Sequence, residues 1–121
     1  VAGQPGYYVI NVAGELDTPC DLKMPVDPRD GVPGTTAQLD RIAGVIDRQL
    51  KGPDDTKVIV HCAMGIERSA LAVAWFLRSR LGYGSLTAAY DAISAARPII
   101  ADRSGWVGEE LVVPIPGAKV A

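Results

Sequence analysis

The sequence predicts an α/β protein with three layers, in which helices flank a central, mostly parallel sheet. Strand-like segments alternate along the chain with helix-like segments, as expected for parallel strands joined by helical crossovers. Residues 58–60 (VIV) are apolar without interruption, which suits a strand covered on both faces. The chain has 121 residues and is 48% hydrophobic, which fits a globular domain with a real core.

Two strands are predicted in the first part of the chain. Residues 7–12 (YYVINV) are apolar and β-forming, which indicates a core strand ending near Ala13-Gly14. Residues 22–26 (LKMPV) alternate apolar and polar side chains. Pro25 has no N–H to donate to a neighbouring strand, so this segment indicates a strand end or a sheet edge.

A loop and a helix are predicted next. Residues 27–36 (DPRDGVPGTT) are dense in Pro, Gly and Asp, and this composition predicts a loop. Thr35 or Thr36 can cap the following helix, and Gly52-Pro53 ends it. The predicted apolar face of this helix consists of Leu39, Ile42, Ala43, Ile46 and Leu50.

The second half of the chain predicts one more strand and two helices. The strand covers residues 57–61. The helix at 69–80 is apolar nearly all round, which places it centrally, and Gly82 can end it. Ser85 can cap a further helix through residue 96, which Pro98 closes.

The remaining features bound the domain and its partners. Residues 105–111 predict a last helical turn, and the tail 112–121 has no clear period and stays unassigned. No repeat or linker divides the chain, so residues 1–121 predict a single domain. The net charge is −2 without a basic stripe, so nucleic acid is not an expected partner.

Three observations concern location. The longest apolar run, ALAVAWFL, is too short to cross a bilayer, and the start of the chain lacks the basic region of a signal peptide. Two cysteines do not make a disulfide framework. We therefore expect a cytoplasmic, monomeric protein without a membrane partner.

Residues 61–69 (HCAMGIERS) join the predicted strand to the predicted central helix, and this arrangement makes an anion site. The first amides of a helix lack intrahelical partners, and the helix dipole is positive there. Gly65 allows a sharp turn, and Arg68 can grip two phosphate oxygens with its planar guanidinium. Cys62 lies at the mouth of these amides, where its thiolate is favoured.

A thiolate below a bound phosphate is a nucleophile for phosphoryl transfer. Ser69 can direct its hydroxyl at the sulfur and stabilise it as a leaving group. Taken singly, a buried Cys is usually a small hydrophobe, and a lone His near a core is usually structural. Here His61, Cys62, Gly65, Arg68 and Ser69 fit one pattern in the required strand–loop–helix context.

This stretch has the form H-C-x-x-G-x-x-R-S and resembles the signature of cysteine-dependent protein tyrosine phosphatases, and the chain length suits their dual-specificity subgroup. The segment VINVAGE is similar to the strand that opens many such domains, and SLTAAYDAISAARPII resembles the helix after the signature helix. Gly105-Trp106 stands where a Gly–aromatic pair commonly begins the final helix. The likeness covers roughly residues 7–111.

The resemblance implies a phosphatase fold and a role for each signature residue. Cys62 is the nucleophile, His61 supports the loop and the thiolate, and Ser69 assists hydrolysis of the phosphocysteine. No metal or organic cofactor is implied, and the expected substrate is a phosphorylated protein or a small phosphate monoester. The phosphate-binding positions are Ala63, Met64, Gly65, Ile66, Glu67 and Arg68.

The family also uses an Asp on a loop before the signature to protonate the leaving oxygen. Asp30 and Asp27 are the candidates. The sequel Gly31-Val32-Pro33 resembles the acid loops of the family, whereas an Asp before Pro is common in plain turns. The sequence therefore favours Asp30 over Asp27.

The chain departs from the family pattern in two places. Relatives usually carry a further strand before the position of Tyr7, and the chain does not begin with Met, so the sequence suggests an excerpt, a processed chain or a missing edge. Glu67 stands where basic or small residues are frequent, and an acidic residue there disfavours inositol lipids and RNA triphosphates as substrates. Without a charged neighbour one turn ahead, Glu67 is expected to be a solvated rim residue.

Two tryptophans, a phenylalanine and a second cysteine have plausible structural roles. Trp75 and Phe76 are expected in the core, whereas Trp106 either borders the active site or is merely structural. Cys20 is expected to be an ordinary free thiol, although some relatives pair a second cysteine with the nucleophile.

Rival functions fit less well. A phosphate-binding module that captures phosphorylated partners is the alternative, but such modules often lack the Cys or the Arg present here. Rhodanese-like sulfur or arsenate enzymes lack this combination of residues around the cysteine. One His and two distant Cys cannot close a zinc site, and no second His is available as the base of a cysteine protease.

Overall fold

A computed structural model describes residues 2–53 and 55–108 and shows a small parallel sheet with three helices. The α/β fold predicted from the alternation of strands and helices is thereby confirmed. Two short 3₁₀ turns, Pro28–Asp30 and Ser104–Val107, complete the regular structure. The strands are β1 (Tyr7–Asn11), β2 (Leu22–Lys23) and β3 (Lys57–His61), and the helices are α1 (Gly31–Leu50), α2 (Arg68–Arg80) and α3 (Leu86–Ala96).

The described sheet has the strand order β2-β1-β3, and both pairings are parallel. In this register Asn11 at the end of β1 lies opposite His61 at the end of β3. Because β1 is in the middle, Val9, Ile10 and Asn11 are buried, whereas β3 is only half-buried. The prediction that β3 is covered on both faces is therefore wrong, and β1 is the buried strand. The β2 strand ends before Pro25, as the missing N–H of proline requires.

The core is built around α2, which packs against both α1 and α3. Small, fully buried residues such as Ala72 and Ala74 allow the neighbouring elements to approach closely. Trp75 and Phe76 lie in the core, as predicted. The indole N–H of Trp75 donates to Asp40 on α1 at 2.7 Å, so its polar atom is satisfied.

Helix α1 begins earlier than the sequence predicts. Residues 31–36, expected in a loop, form its first turns, so neither Thr35 nor Thr36 caps it. Pro33 is tolerated because N–H groups in the first helical turn have no intrahelical partner. The Thr35 hydroxyl instead donates to the carbonyl of Asp27 at 3.0 Å and ties the preceding 3₁₀ turn to the helix. The helix ends at Leu50, before Gly52-Pro53, and Leu50 is 47% exposed rather than part of the buried face.

The ends of α2 and α3 follow the predicted signals. Gly82 takes a φ of 76° just after α2, which favours glycine. The Ser85 hydroxyl accepts a hydrogen bond from the Ala88 N–H at 3.1 Å and caps α3, which ends before Pro98. At the predicted last helical turn, a 3₁₀ turn covers Ser104–Val107. Residues 109–111 and the tail lie outside the described residues.

None of the helices in the described ranges is long and apolar enough to span a membrane.

Candidate active site

The signature forms a loop between the end of β3 and the start of α2, in the strand–loop–helix arrangement that the sequence predicts. Gly65 in this loop has a φ of 66°, a left-handed conformation that side chains disfavour. A Cβ at this position would also lie 3.0 Å from the Nη2 atom of Arg97. The left-handed backbone therefore favours glycine there, and any side chain would also force the Arg97 guanidinium to shift by a few tenths of an ångström.

Cys62 is buried at the start of the loop, with 7% of its surface exposed. Its Sγ lies 3.4 Å from the Ser69 Oγ, within hydrogen-bonding distance. Burial raises the pKa of the thiol. Hydrogen bonds from the Ser69 hydroxyl and from the backbone N–H groups of Ser69, Gly65 and Met64 lower the pKa by more than burial raises it, so the pKa falls to about 7. The thiolate is therefore accessible near neutral pH.

Arg68 begins α2, and its guanidinium forms a bidentate ion pair with Glu15. The Nη1–Oε1 and Nη2–Oε2 distances are both 2.6 Å. The hydrogen bond from Arg68 lowers the pKa of Glu15 to about 2, so this carboxylate is ionised at neutral pH. Glu15 could not be predicted from the sequence, because nothing local links it to Arg68, which lies far along the chain.

A cleft of about 380 Å³ adjoins Arg68. The charged residues that line it are Glu15, Asp27, Arg29, Glu67 and Arg68. The aromatic ring of Trp106 also lines it. Trp106 therefore borders the site, which answers the question that the sequence left open. Asp27 lines the cleft, whereas Asp30 is not among its lining residues.

The two candidate acids have different surroundings. Asp27 forms an ion pair with Arg29, with 2.6 Å between Oδ2 and Nη2, and hydrogen bonds from the Arg29 side chain and backbone lower its pKa to about 2. Asp30 ends the 3₁₀ turn and packs closely against the first turn of α1. A Cβ added at Gly34 would lie only 3.1 Å from the Asp30 Cβ. The structure does not bring Asp30 to the cleft, because α1 starts directly after it instead of following an open loop.

Glu67 forms an ion pair with Arg103, which lies over the ring of Trp106 at the cleft. Its Oε2 accepts a hydrogen bond from Arg103 Nε at 2.9 Å, and the Arg103 guanidinium lies 5.8 Å from the centre of the Trp106 ring. Glu67 is a rim residue, as expected, but it has an ion-pair partner that is distant in sequence.

The back of the signature loop is supported by the segment after α3. The Arg97 Nε donates to the Gly65 carbonyl, and the Ala101 N–H donates to the Ile66 carbonyl, each at 3.0 Å. His61 lines a second cavity of about 340 Å³ behind the loop, together with Gly65, Ser69 and Arg97. Cys20 is half-buried and free, and within the described ranges no group of three His, Cys, Asp or Glu side chains is arranged for a metal ion.

Comparison with protein families decides the identity of this fold. The sequence profile described as "Dual specificity phosphatase, catalytic domain" matches residues 7–109. The chain belongs to the dual specificity phosphatase family. This membership supports phosphatase activity, and the site combines a thiol of lowered pKa with a guanidinium.

Solved structures share the fold of this dual specificity phosphatase domain. Human DUSP28 matches with a TM-score of 0.71 and 22% identity, over 86% of this chain and 70% of that one. A mouse protein assigned to the dual specificity phosphatases and solved with zinc tungstate matches with a TM-score of 0.70 and 22% identity, over 86% of this chain and 67% of that one. Comparison with curated protein sequences finds no match.

Proposed function

We propose that the protein hydrolyses phosphate monoesters through a phosphocysteine formed on Cys62. The observation that carries this proposal is the thiol itself, whose pKa is lowered to about 7 by hydrogen bonds from Ser69 and the loop amides. Arg68, at the start of α2, supplies the positive charge that a phosphate needs. A structural cysteine in the same core would have no reason to be ionised.

The reaction proceeds in two displacements. In the first, the Cys62 thiolate attacks phosphorus, the bond to the ester oxygen breaks, and an acid protonates that oxygen. Arg68 and the backbone N–H groups of residues 63–68 stabilise the charge on the phosphoryl oxygens. In the second, water attacks phosphorus and gives its proton to the carboxylate of the same acid, the bond between sulfur and phosphorus breaks, and inorganic phosphate leaves while the Ser69 hydroxyl stabilises the departing thiolate.

We assign the acid to Asp27, although the sequence favours Asp30. Asp27 lines the cleft that contains Arg68, whereas Asp30 does not. In the free protein Asp27 is ionised and paired with Arg29. A phosphate dianion in the cleft attracts Arg29 and repels the carboxylate, and both effects raise the pKa of Asp27 towards the value that an acid needs.

We infer that the substrates are phosphotyrosine, phosphoserine or phosphothreonine in proteins. The cleft of about 380 Å³ is bordered by Trp106 on one side and by the segment at Asp27 and Arg29 on the other. Its carboxylates disfavour ligands that carry several phosphates.

A phosphate-binding module is the second candidate. The pairing of Asp27 with Arg29 favours it, because the candidate acid is ionised in the free protein, whereas phosphate binding needs no acid.

The test is hydrolysis of p-nitrophenyl phosphate with EDTA present, for the wild type and Cys62→Ser in parallel, with tungstate binding measured by calorimetry. We expect turnover in the wild type that disappears in Cys62→Ser, while the mutant still binds tungstate. A folded wild type that binds tungstate without turnover would support the binding module instead.

A further inference from the structure

We infer that Glu15 is a positioning residue, which fixes the Arg68 guanidinium so that its Nε edge faces the phosphate. The inference rests on the proposed function and adds a residue to its machinery.

The geometry of the ion pair leaves one edge of the guanidinium free. Glu15 accepts one hydrogen bond from each terminal nitrogen of Arg68, both at 2.6 Å. Across residues 2–53 and 55–108, no other side chain or carbonyl accepts a hydrogen bond from the Arg68 side chain. A guanidinium has five N–H donors in a rigid plane, so the Nε–H and the adjacent terminal N–H form a second two-donor edge. That edge matches two oxygens of a phosphate.

The buried side chain of Asn11 holds the turn that carries Glu15, and it has no role in the catalytic steps proposed above. Asn11 is fully buried, and its amide accepts a hydrogen bond from the Ala13 N–H at 2.9 Å and donates to the Leu16 carbonyl at 2.6 Å. These two bonds fix both ends of the turn around Glu15. Buried polar groups are costly unless they are satisfied, so the amide imposes one conformation on this turn.

The same turn is tied to the strand that delivers the nucleophile. Asn11 lies opposite His61 in the sheet, and the Val12 N–H donates to the His61 carbonyl at 2.9 Å. Cys62 follows directly. Hydrogen bonds, together with the short backbone segments between them, therefore link β3, the Asn11 amide, the turn with Glu15 and the guanidinium of Arg68.

A competing role for Glu15 predicts the opposite behaviour. If the carboxylate held the edge that phosphate needs, it would have to leave before each turnover, and its removal would tighten oxyanion binding. The end-on contact through both terminal nitrogens argues against competition, because the Nε edge stays available.

The experiment compares Glu15→Gln and Glu15→Ala with Asp17→Asn. Asp17 is a matched control, since it is a nearby carboxylate with a 93% exposed side chain that pairs with Lys23 and not with Arg68. The measurements are kcat and KM for p-nitrophenyl phosphate, tungstate affinity by calorimetry, and Tm. We expect kcat to fall about 10-fold in Glu15→Gln and up to about 100-fold in Glu15→Ala, with KM changed less than about 3-fold. Tungstate affinity should fall in both variants, whereas Asp17→Asn should match the wild type.

Each other outcome overturns the inference or the proposed function. Unchanged or higher kcat with equal or tighter tungstate binding would make Glu15 neutral or a competitor. A fall in kcat that merely follows a lower folded fraction, without weaker tungstate binding to the folded protein, would reduce Glu15 to a structural role. A wild type that binds tungstate without turnover defeats only the proposed function, because the affinities of the variants still decide the role of Glu15. A wild type that neither binds nor turns over defeats both.

Discussion

The reactivity of Cys62 depends on two opposing effects on its thiol. Burial favours the neutral form, while the Ser69 hydroxyl and the loop amides favour the thiolate and lower the pKa to about 7. Because this folded-state pKa lies below the ordinary value of 9.0, the thiolate contributes stability that is full above pH 9 and is lost as the pH falls through 7. The same titration sets the pH above which the nucleophile is ready.

Replacing Ser69 tests this assignment. In Ser69→Ala, we expect the pKa of Cys62 to rise, because the hydroxyl that stabilises the thiolate is lost. The rate of Cys62 alkylation by iodoacetamide, measured against pH in a Cys20→Ser background, reports that pKa. Ser79→Ala is a suitable control, since Ser79 is also on α2 but donates to the Trp75 carbonyl. An alkylation profile in Ser69→Ala that coincides with that of the control would remove Ser69 from the environment of the thiolate.

The identity of the acid is a second residue-level prediction. We expect Asp27→Asn to lower kcat/KM by about 10²–10⁴-fold for substrates with poor leaving groups, and Asp30→Asn to have a much smaller effect. The alkaline limb of the pH profile should flatten only in Asp27→Asn, because that limb reports loss of the proton from the acid. Arg29→Ala should move the limb to higher pH, since the hydrogen bonds from Arg29 lower the pKa of Asp27. The reverse ranking of the two Asn variants would return the acid to Asp30.

Local sequence predicts some of these residues and not others. Cys62, Gly65, Arg68 and Ser69 lie within one loop and helix start, so a short pattern contains them all. The pairing of Glu15 with Arg68 and that of Glu67 with Arg103 join distant parts of the chain. No spacing rule covers such pairs, because the sheet and the turns bring them together.

At the level of elements, the apolar strands and helices were predictable and the start of α1 was not. The uninterrupted apolar run at β3 and the largely apolar segment at α2 are strong signals, and Ser85 gives a clear cap. Residues 31–36 carry loop-forming residues, yet they are helical, because proline is tolerated in a first turn and Thr35 bonds back to Asp27. That shift of the helix start separates Asp30 from the cleft.

The signature loop offers an element-level prediction. Gly65→Ala should lower the free energy of unfolding by about 1–2 kcal/mol, because alanine disfavours a left-handed backbone. It should also reduce kcat/KM at least about 10-fold, since a Cβ would push against Arg97 and distort the amides.

Gly82→Ala separates these two effects. Gly82 has a similar positive φ of 76°, and no atom lies within 4 Å of its added Cβ. We expect a comparable loss of stability, measured by urea unfolding, without a change in kcat/KM. Equal effects of the two substitutions on kcat/KM would mean that the loop geometry is not what Gly65 protects.

At the scale of the whole molecule, the net charge is small, and the charged side chains around the cleft form ion pairs. The net charge is −2, and the carboxylates at the cleft are matched by Arg68, Arg29 and Arg103. The surface around the phosphate site therefore lacks the excess of positive charge that polyanionic ligands require. Once a phosphate has engaged Arg68 and Arg29, their positive charge is offset, and the Glu15 and Glu67 carboxylates add negative charge beside it.

This balance predicts a preference among phosphotyrosine peptides. Peptides with Lys or Arg beside the phosphotyrosine should have kcat/KM values about 3–10-fold higher than those with Asp or Glu, at low salt. The difference should shrink in 1 M salt, where the Debye length is about 3 Å. Glu67→Gln should reduce or reverse the preference, because it frees Arg103 to attract acidic neighbours, whereas Asp17→Asn should leave it unchanged. A preference for acidic peptides in the wild type would show that Arg29 and Arg103, rather than the carboxylates, dominate the field that a substrate meets.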